Sequence, residues 1–482
     1  MTIDEGSRSH REEAGLTNNN HHHDVAVRSP RQQQLPLLVM SACPLDGHML
    51  PALHVARELK RKGFEIIFLT SAEYRERVEE LGAEYSEMPP LFSPGAEERR
   101  QQIPEAVRFI HDIQEHFLPS IAIRTPLLRA LLESVRERDP ARDVVIVTES
   151  LSLAVVAFQH GAPLPKGYDA FPKTIGLNVV PIVVSSVDTA PFGMGFPPDA
   201  TESGRLRNQA LHGGLLAGPF RPVVAQQEKI MAELGCRAGA GSGLFDDWLQ
   251  CHDTLFQMCS PSLEYPRSDL HPSIRYAGVL PKKGLAPDFA YPEWWSEIRD
   301  NAALPAGAAG KKAVIPVAQG TVAVGYEELI MPTIRAFAGR DDVVVIAILG
   351  VKGASLPADF EIPKNTRVVD YLPYDVALEH ADLFVSNGGY GSMCHGVINA
   401  VPMVVAGITE DKVEVTCRAE YAGFAINLKT QAPSSEQIAT AVDKMLANPK
   451  YKEKAVRLMR ENRDLDCHSI IEREIMLYSR GK

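Results

Sequence analysis

Short, uninterrupted apolar runs alternate with helix-like segments along most of this chain, and that alternation limits its fold more than any other feature. Residues 36–42 read PLLVMSA and residues 64–70 read FEIIFLT. A strand that is apolar along its whole length must be covered on both faces, as in a parallel sheet between layers of helices. Between the two runs, Ala52, Val55, Ala56 and Leu59 recur at helical spacing, and Pro51 suits a first helical turn. Lys60, Arg61 and Lys62 sit where a helix ends, and Gly63 terminates it. A further helix is expected over residues 72–81, ahead of Gly82. Strand, helix, strand, helix in succession defines an α/β fold.

The pattern continues downstream. Residues 143–148 (DVVIVT) and 174–180 read as buried strands, and the stretch from there to 280 as mostly helical around a Pro/Gly-rich loop at 190–199. A second set of strands is expected at 313–318, 343–349, 366–369, 383–386, 402–406 and 425–428. These runs predict two Rossmann-like, doubly wound domains facing each other across a cleft, the first over 35–280 and the second over 311–460, joined by a linker at 281–310. Trp294 and Trp295 in that linker are expected to pin the two domains. Residues 1–34 are polar and aperiodic and read as a disordered tail. Within it, His21-His22-His23 reads as a low-complexity run rather than a metal site.

Composition removes several function classes. With 50 basic and 61 acidic side chains the net charge of −11 lacks the basic footprint of a nucleic-acid partner. Seven scattered cysteines without a CxxC pair argue against structural zinc and for a reducing compartment. No apolar run reaches the ~18 residues of a membrane span, and the first residues are polar and acidic, so a cytoplasmic protein without a transmembrane segment is expected.

Residues 385–395 (VSNGGYGSMCH) leave a buried strand, make a glycine-rich turn and enter a helix. Glycines let a ligand approach the backbone, and a helix start offers free amides to a phosphate. Residues 367–375 (RVVDYLPYD) lie just upstream, and 400–405 (AVPMVV) and 409–412 (TEDK) follow. In this order the segments resemble the donor-binding signature of the family 1, UDP-dependent glycosyltransferases of GT-B fold, in particular fungal and bacterial members reading NGGYG and TEDK.

That resemblance implies roles. Tyr371 would stack on uracil, with Leu372, Pro373 and Tyr374 beside the base edge. Gly388, Gly389, Gly391 and Ser392 would meet the diphosphate, helped by Gly320 and Thr321 after the first strand of the second domain. Glu410, Asp411 and Lys412 would face the sugar. Asn387 stands where many relatives have histidine, His395 where many have glutamate on the ribose, and Lys412 where many have glutamine. The last helices, about 451–459 and 469–478, would cross back to the first domain, with 461–482 as the returning segment.

Gly47-His48, just beyond the first strand and ahead of Pro51, matches the family pattern GHxxP. A neutral imidazole there can take the proton of an attacking hydroxyl. The partner that orients it is aspartate in the family; here the aligned residue is Glu149, with Thr148 and Ser150 as weaker hydroxyl alternatives. The implied reaction is inverting transfer of a sugar, most simply glucose, from a UDP-sugar to a small lipophilic or phenolic hydroxyl, with no cofactor or metal required. Phe92, Phe109, Phe117, Phe192, Met194 and Phe196 are the candidate acceptor contacts; of these Phe109 and Phe117, eight residues apart, are expected to pack inward instead, which leaves the loop set Phe192–Phe196 in front. Two alternatives remain at this stage: a nucleotide-sugar epimerase of the same fold, which would not need His48, and a binding protein without turnover.

Overall fold

In the computed structural model, residues 34–480 are described, apart from 94, 286–287 and 321–323. The first 33 residues, including the His21-His22-His23 run, lie outside the described residues.

Two all-parallel sheets organise the rest. The first contains β1 (Leu37–Ser41), β2 (Glu65–Thr70), β3 (Glu84–Glu87), β4 (Val144–Glu149), β5 (Lys173–Asn178), β6 (Thr254–Gln257) and β7 (Ile274–Tyr276). Its strand order is β3-β2-β1-β4-β5-β6-β7. The second contains β8 (Ala313–Ala318), β9 (Val343–Ile348), β10 (Thr366–Val369), β11 (Phe384–Ser386), β12 (Met403–Val405) and β13 (Ala425–Asn427), in the order β10-β9-β8-β11-β12-β13. Each is a Rossmann-like domain, and together they are α/β.

The apolar runs explain the layering. Side chains alternate across a strand, so a strand buried throughout feeds two cores at once. Val39, Ile67 and Ile146 enter one core of the first sheet, while Leu38, Met40, Phe68 and Val147 enter the other. The second sheet divides likewise, with Val314 and Val405 on one side and Ile315 and Val404 on the other.

The helix ahead of β2 begins earlier than its apolar stripe indicates. It runs Asp46–Arg61, so His48 lies in its first turn and Pro51 within it. Residues 72–81 split into a 3-10 turn, Ala72–Tyr74, and the helix Arg75–Glu80. Strands β3, β6 and β7 are additions to the sequence reading. The first is a polar edge strand (EYSE), and the other two are short (TLFQ and IRY) within a stretch rich in helix.

The segment 281–310 includes the helix Trp295–Ala303. Trp295 packs in a core that joins Cys259, Leu263 and Val279 to second-sheet residues such as Phe384. The helix Lys450–Leu465 sends Asn462 to the first half, where it bonds Ser260 Oγ at 2.9 Å and accepts from Val279 N–H at 3.1 Å. The final helix, Cys467–Arg480, buries Ile471 and Ile475 against the β1, β2 and β4 face.

Candidate active site

Each sheet reverses its strand order once, between β1 and β4 and between β8 and β11. Such reversals open a crevice at the carboxyl ends of the strands, and most of the singled-out residues follow those strands.

At the first reversal, His48 Nδ1 lies 2.9 Å from Glu149 Oε1. The Glu149 side chain is 0% exposed and that of His48 is 14% exposed. Glu149 also accepts from Cys43 N–H at 3.2 Å and Leu151 N–H at 3.1 Å. The longer acid therefore does two things at once: it caps the 3-10 turn Ser150–Ser152 and reaches back to His48. Burial pushes the His48 imidazole down, but the charge and hydrogen bond of Glu149 outweigh it, and the net pKa is raised. Burial pushes Glu149 up; His48 and the two amides outweigh that and keep its pKa below the ordinary value. Arg124, buried behind the pair and bonded to Ser152 O at 2.8 Å, adds a fixed positive charge. The hydroxyl alternatives are engaged elsewhere: Thr148 with His252 Nε2 at 3.0 Å, and Ser150 with Asn178 Oδ1 at 2.7 Å as well as Glu149.

At the second reversal, β11 leads through Asn387, Gly388 and Gly389 into the helix Tyr390–Ile398. Gly388 has φ +78°, and a Cβ there would fall 2.3 Å from Thr416 Cγ2, so only glycine fits. Around Gly389 and Gly391 a Cβ would meet nothing within 4 Å, which leaves that backbone open to a ligand. Asn387 Nδ2 donates to Gln319 O at 2.6 Å, tying the turn to the loop after β8. Burial raises the Tyr374 hydroxyl's pKa, and Ser392 and the Gly320 backbone lie near enough to oppose that rise, so three segments of the motif converge. Thr321 lies outside the described residues. Tyr371 is 48% exposed and presents an open ring, whereas Leu372 is buried and Pro373 precedes the short helix Tyr374–Ala377. His395 Nδ1 lies 3.1 Å from Asp375 Oδ1, a partner the sequence reading missed although it adjoins Tyr374.

The TEDK loop comes from the second sheet and meets the first. Lys412 Nζ bonds the Glu410 carboxylate and Thr409 Oγ1. Asp411, at the start of the helix Lys412–Tyr421, has its pKa raised by burial; Lys412 and His48 oppose this, which places its charge within reach of His48. From the first half, Arg100 approaches Glu410 at 3.7 Å.

The same helix grips the loop at 190–199. Gly193 N–H and Gly195 N–H both donate to Glu414 Oε1 at 2.9 Å. Arg418 donates to Glu414 Oε2 at 2.5 Å and to Glu264 Oε2 at 2.8 Å, and Glu264 accepts from Ile182 N–H at 2.9 Å. This buried Glu–Arg–Glu bridge joins the two halves. Nothing local in the sequence announces it, because Arg418 and Glu264 are 154 positions apart.

Of the apolar candidates, Phe192 packs on Phe109 with ring centroids 5.8 Å apart and lines a cavity of about 30 Å³. Met194 is half-buried, and Phe196 is exposed beside Arg207. Phe92 meets His116 edge-on at 4.7 Å, and Phe117 packs toward Trp248. Phe109 does not pack inward with Phe117 but is 39% exposed. A π turn, Ile113–Phe117, separates them and breaks the eight-residue helical register.

Two such doubly wound parallel-sheet domains define the GT-B fold. The comparisons agree. Residues 333–472 match the model "Erythromycin biosynthesis protein CIII-like, C-terminal domain". The chain is 40% identical to UDP-glucosyltransferase 1 of Beauveria bassiana (strain ARSEF 2860), covering 92% of this chain and 95% of that one. It is 32% identical to UDP-glucosyltransferase A1 of Starmerella bombicola, covering 91% and 92%. The crystal structure of the glycotransferase of kitacinnamycin superposes with a TM-score of 0.66 at 19% identity, over 92% of this chain and all of that one. The chain belongs to the family 1 UDP-glycosyltransferases, enzymes that transfer a glycosyl group from a UDP-sugar.

Proposed function

We propose that the protein transfers glucose from UDP-glucose to a hydroxyl of a small lipophilic or phenolic acceptor, in the cytoplasm, with inversion at the anomeric carbon and His48 as general base. The observation that carries this reading is the His48–Glu149 pair at the β1/β4 reversal, 2.9 Å apart and shielded from solvent. Glu149 takes Nδ1–H, so Nε2 is left with its lone pair to accept a proton. The acceptor oxygen bonds to the anomeric carbon, its proton passes to His48 Nε2, and the bond from that carbon to the β-phosphate oxygen breaks. UDP leaves from the opposite face. A single displacement of this kind turns an α-linked donor into a β-glycoside. The raised pKa of His48 favours the proton-bearing ring that the reaction produces.

Charge growing on the diphosphate is met by amides of the glycine turn and the Ser392 hydroxyl, so the reading asks for no metal. Tyr371 offers its exposed ring to uracil, and Asp411 and Lys412 face the sugar. Glucose as the sugar is supported by relatives that carry UDP-glucosyltransferase in their names. The lipophilic acceptor is supported by Phe192, Phe109 and Met194 around the loop at 190–199.

The test is UDP release from UDP-glucose with a panel of phenols and sterols, wild type against His48→Ala. Acceptor-dependent release that vanishes in the variant is expected. Release that survives in His48→Ala would remove the base assignment, and release from another UDP-sugar alone would remove glucose.

A further inference from the structure

The helix Glu105–Asp112 runs through the π turn Ile113–Phe117 into the helix Leu118–Arg138. On an α-helix, residues five apart diverge by about 140°. A π turn closes i→i+5 and brings the later residue back over the earlier one. His116 is thereby set beside His111, with ring centroids 5.9 Å apart, and Asp112 Oδ1 lies 3.7 Å from His111 Nδ1. One ligand atom from each of the three lies within 4.8 Å of the others. His111 Nδ1 and His116 Nε2 are buried atoms with no hydrogen-bond partner among the described residues. Buried polar nitrogens are nearly always satisfied, so two side by side, both metal-ligating, call for a ligand.

We infer that His111, Asp112 and His116 form a binding site for a zinc-class transition-metal ion, with two imidazoles and one carboxylate as ligands. Two nitrogen donors favour such an ion over magnesium or calcium, which take oxygen. Metal–nitrogen distances of about 2.0–2.1 Å put tetrahedral ligand atoms roughly 3.3 Å apart, so the cluster tightens on binding. The His111 side chain is 31% exposed, which gives an ion a way in and the ring room to move. Arg100 Nε donates to both Asp112 oxygens, at 3.0 and 2.9 Å. With one oxygen on the metal, Arg100 holds the other and orients the carboxylate from behind. Arg100 is also the residue that approaches Glu410, so the site adjoins the TEDK loop without sharing a residue with the His48 pair.

The test uses the full chain carrying His21→Ala, His22→Ala and His23→Ala, so that the tail run cannot supply ligands. Cobalt(II) titration should show one tight equivalent with a visible low-coordinate spectrum, displaced by zinc. Adding His111→Gln and His116→Gln should abolish that equivalent, and His111→Gln alone should weaken it at least ~10-fold. The thermal midpoint in chelator, compared with the parent, shows that the fold persists. An equivalent whose affinity and spectrum survive His111→Gln, or no equivalent at all outside the tail, overturns the site.

Discussion

A histidine–carboxylate pair stands at each of the two strand reversals, and the two differ in setting more than in geometry. His48–Glu149 measures 2.9 Å and His395–Asp375 3.1 Å. Around the first, Glu149 is 0% exposed and takes two backbone amides besides the imidazole. Around the second, the side chains of His395 and Asp375 are 38% and 14% exposed, and among the described residues Asp375 accepts in addition from Lys283 N–H at 3.3 Å. Solvent screens the second pair and leaves the first nearly unscreened. Equal bonds thus serve different ends: a buried pair shifts a proton affinity, and a wet pair mainly holds a side chain in position.

Predictions from this contrast fall in order of size. His48→Ala should lower kcat by something on the order of 10²- to 10⁴-fold, with little change in KM for the UDP-sugar, as measured by acceptor-dependent UDP release. Glu149→Gln should cost about 10²-fold, because the amide no longer steadies an imidazolium and its single oxygen can accept from Cys43 N–H or Leu151 N–H but not from both, since these meet different carboxylate oxygens. It should also move the pH profile. The base works only when neutral, so activity rises as pH passes upward through the His48 pKa, which Glu149 raises. Without the carboxylate, burial prevails, that pKa falls, and the acid limb of kcat/KM shifts to lower pH. An unmoved limb would mean that burial of the pair does not tune the base. Glu149→Asp sharpens the point. The shorter side chain cannot both cap Ser150–Ser152 and reach His48, so a loss of about 10-fold is expected, smaller than for Gln because the charge remains.

How much of this was legible in the sequence depended on how local each signal is. The glycine turn follows its own strand, and Gly388 is required by a backbone angle, so sequence alone could place it. The apolar runs of β1, β2 and β4 announce strands covered on both faces. By contrast β3, EYSE, is an edge strand whose polar residues carry no such mark. The π turn that separates Phe109 from Phe117 and gathers His111 with His116 has no composition cue, and a helical spacing rule misleads across it. Glu414 looks like an ordinary helix-surface acid until the fold brings Gly193 and Gly195 to it from more than two hundred positions away. Glu149 is legible in the sequence as the partner of His48, whereas its second, simultaneous contact, the cap on the 3-10 turn Ser150–Ser152, appears only in the structure.

The smallest expected effect tests the wetter pair. Asp375→Asn keeps the side-chain shape and an acceptor oxygen but removes the charge that His395 and Lys283 N–H meet. An exposed pair of this kind is worth about 1 kcal/mol or less, which corresponds to a rise of about fivefold at most in KM for the UDP-sugar. Since the pair lies beside the motif proposed to hold the nucleotide and away from the His48 bond, kcat should stay nearly constant, the pattern of binding lost equally from ground and transition states. Asp375 is also held below the ordinary carboxylate range, because the His395 hydrogen bond and charge outweigh burial. Its charge is therefore already complete near neutral pH, and Asn should leave the acid limb where wild type has it. A fall in kcat in Asp375→Asn, or a moved limb, would show that the second pair is coupled to proton transfer and that exposure does not separate the two.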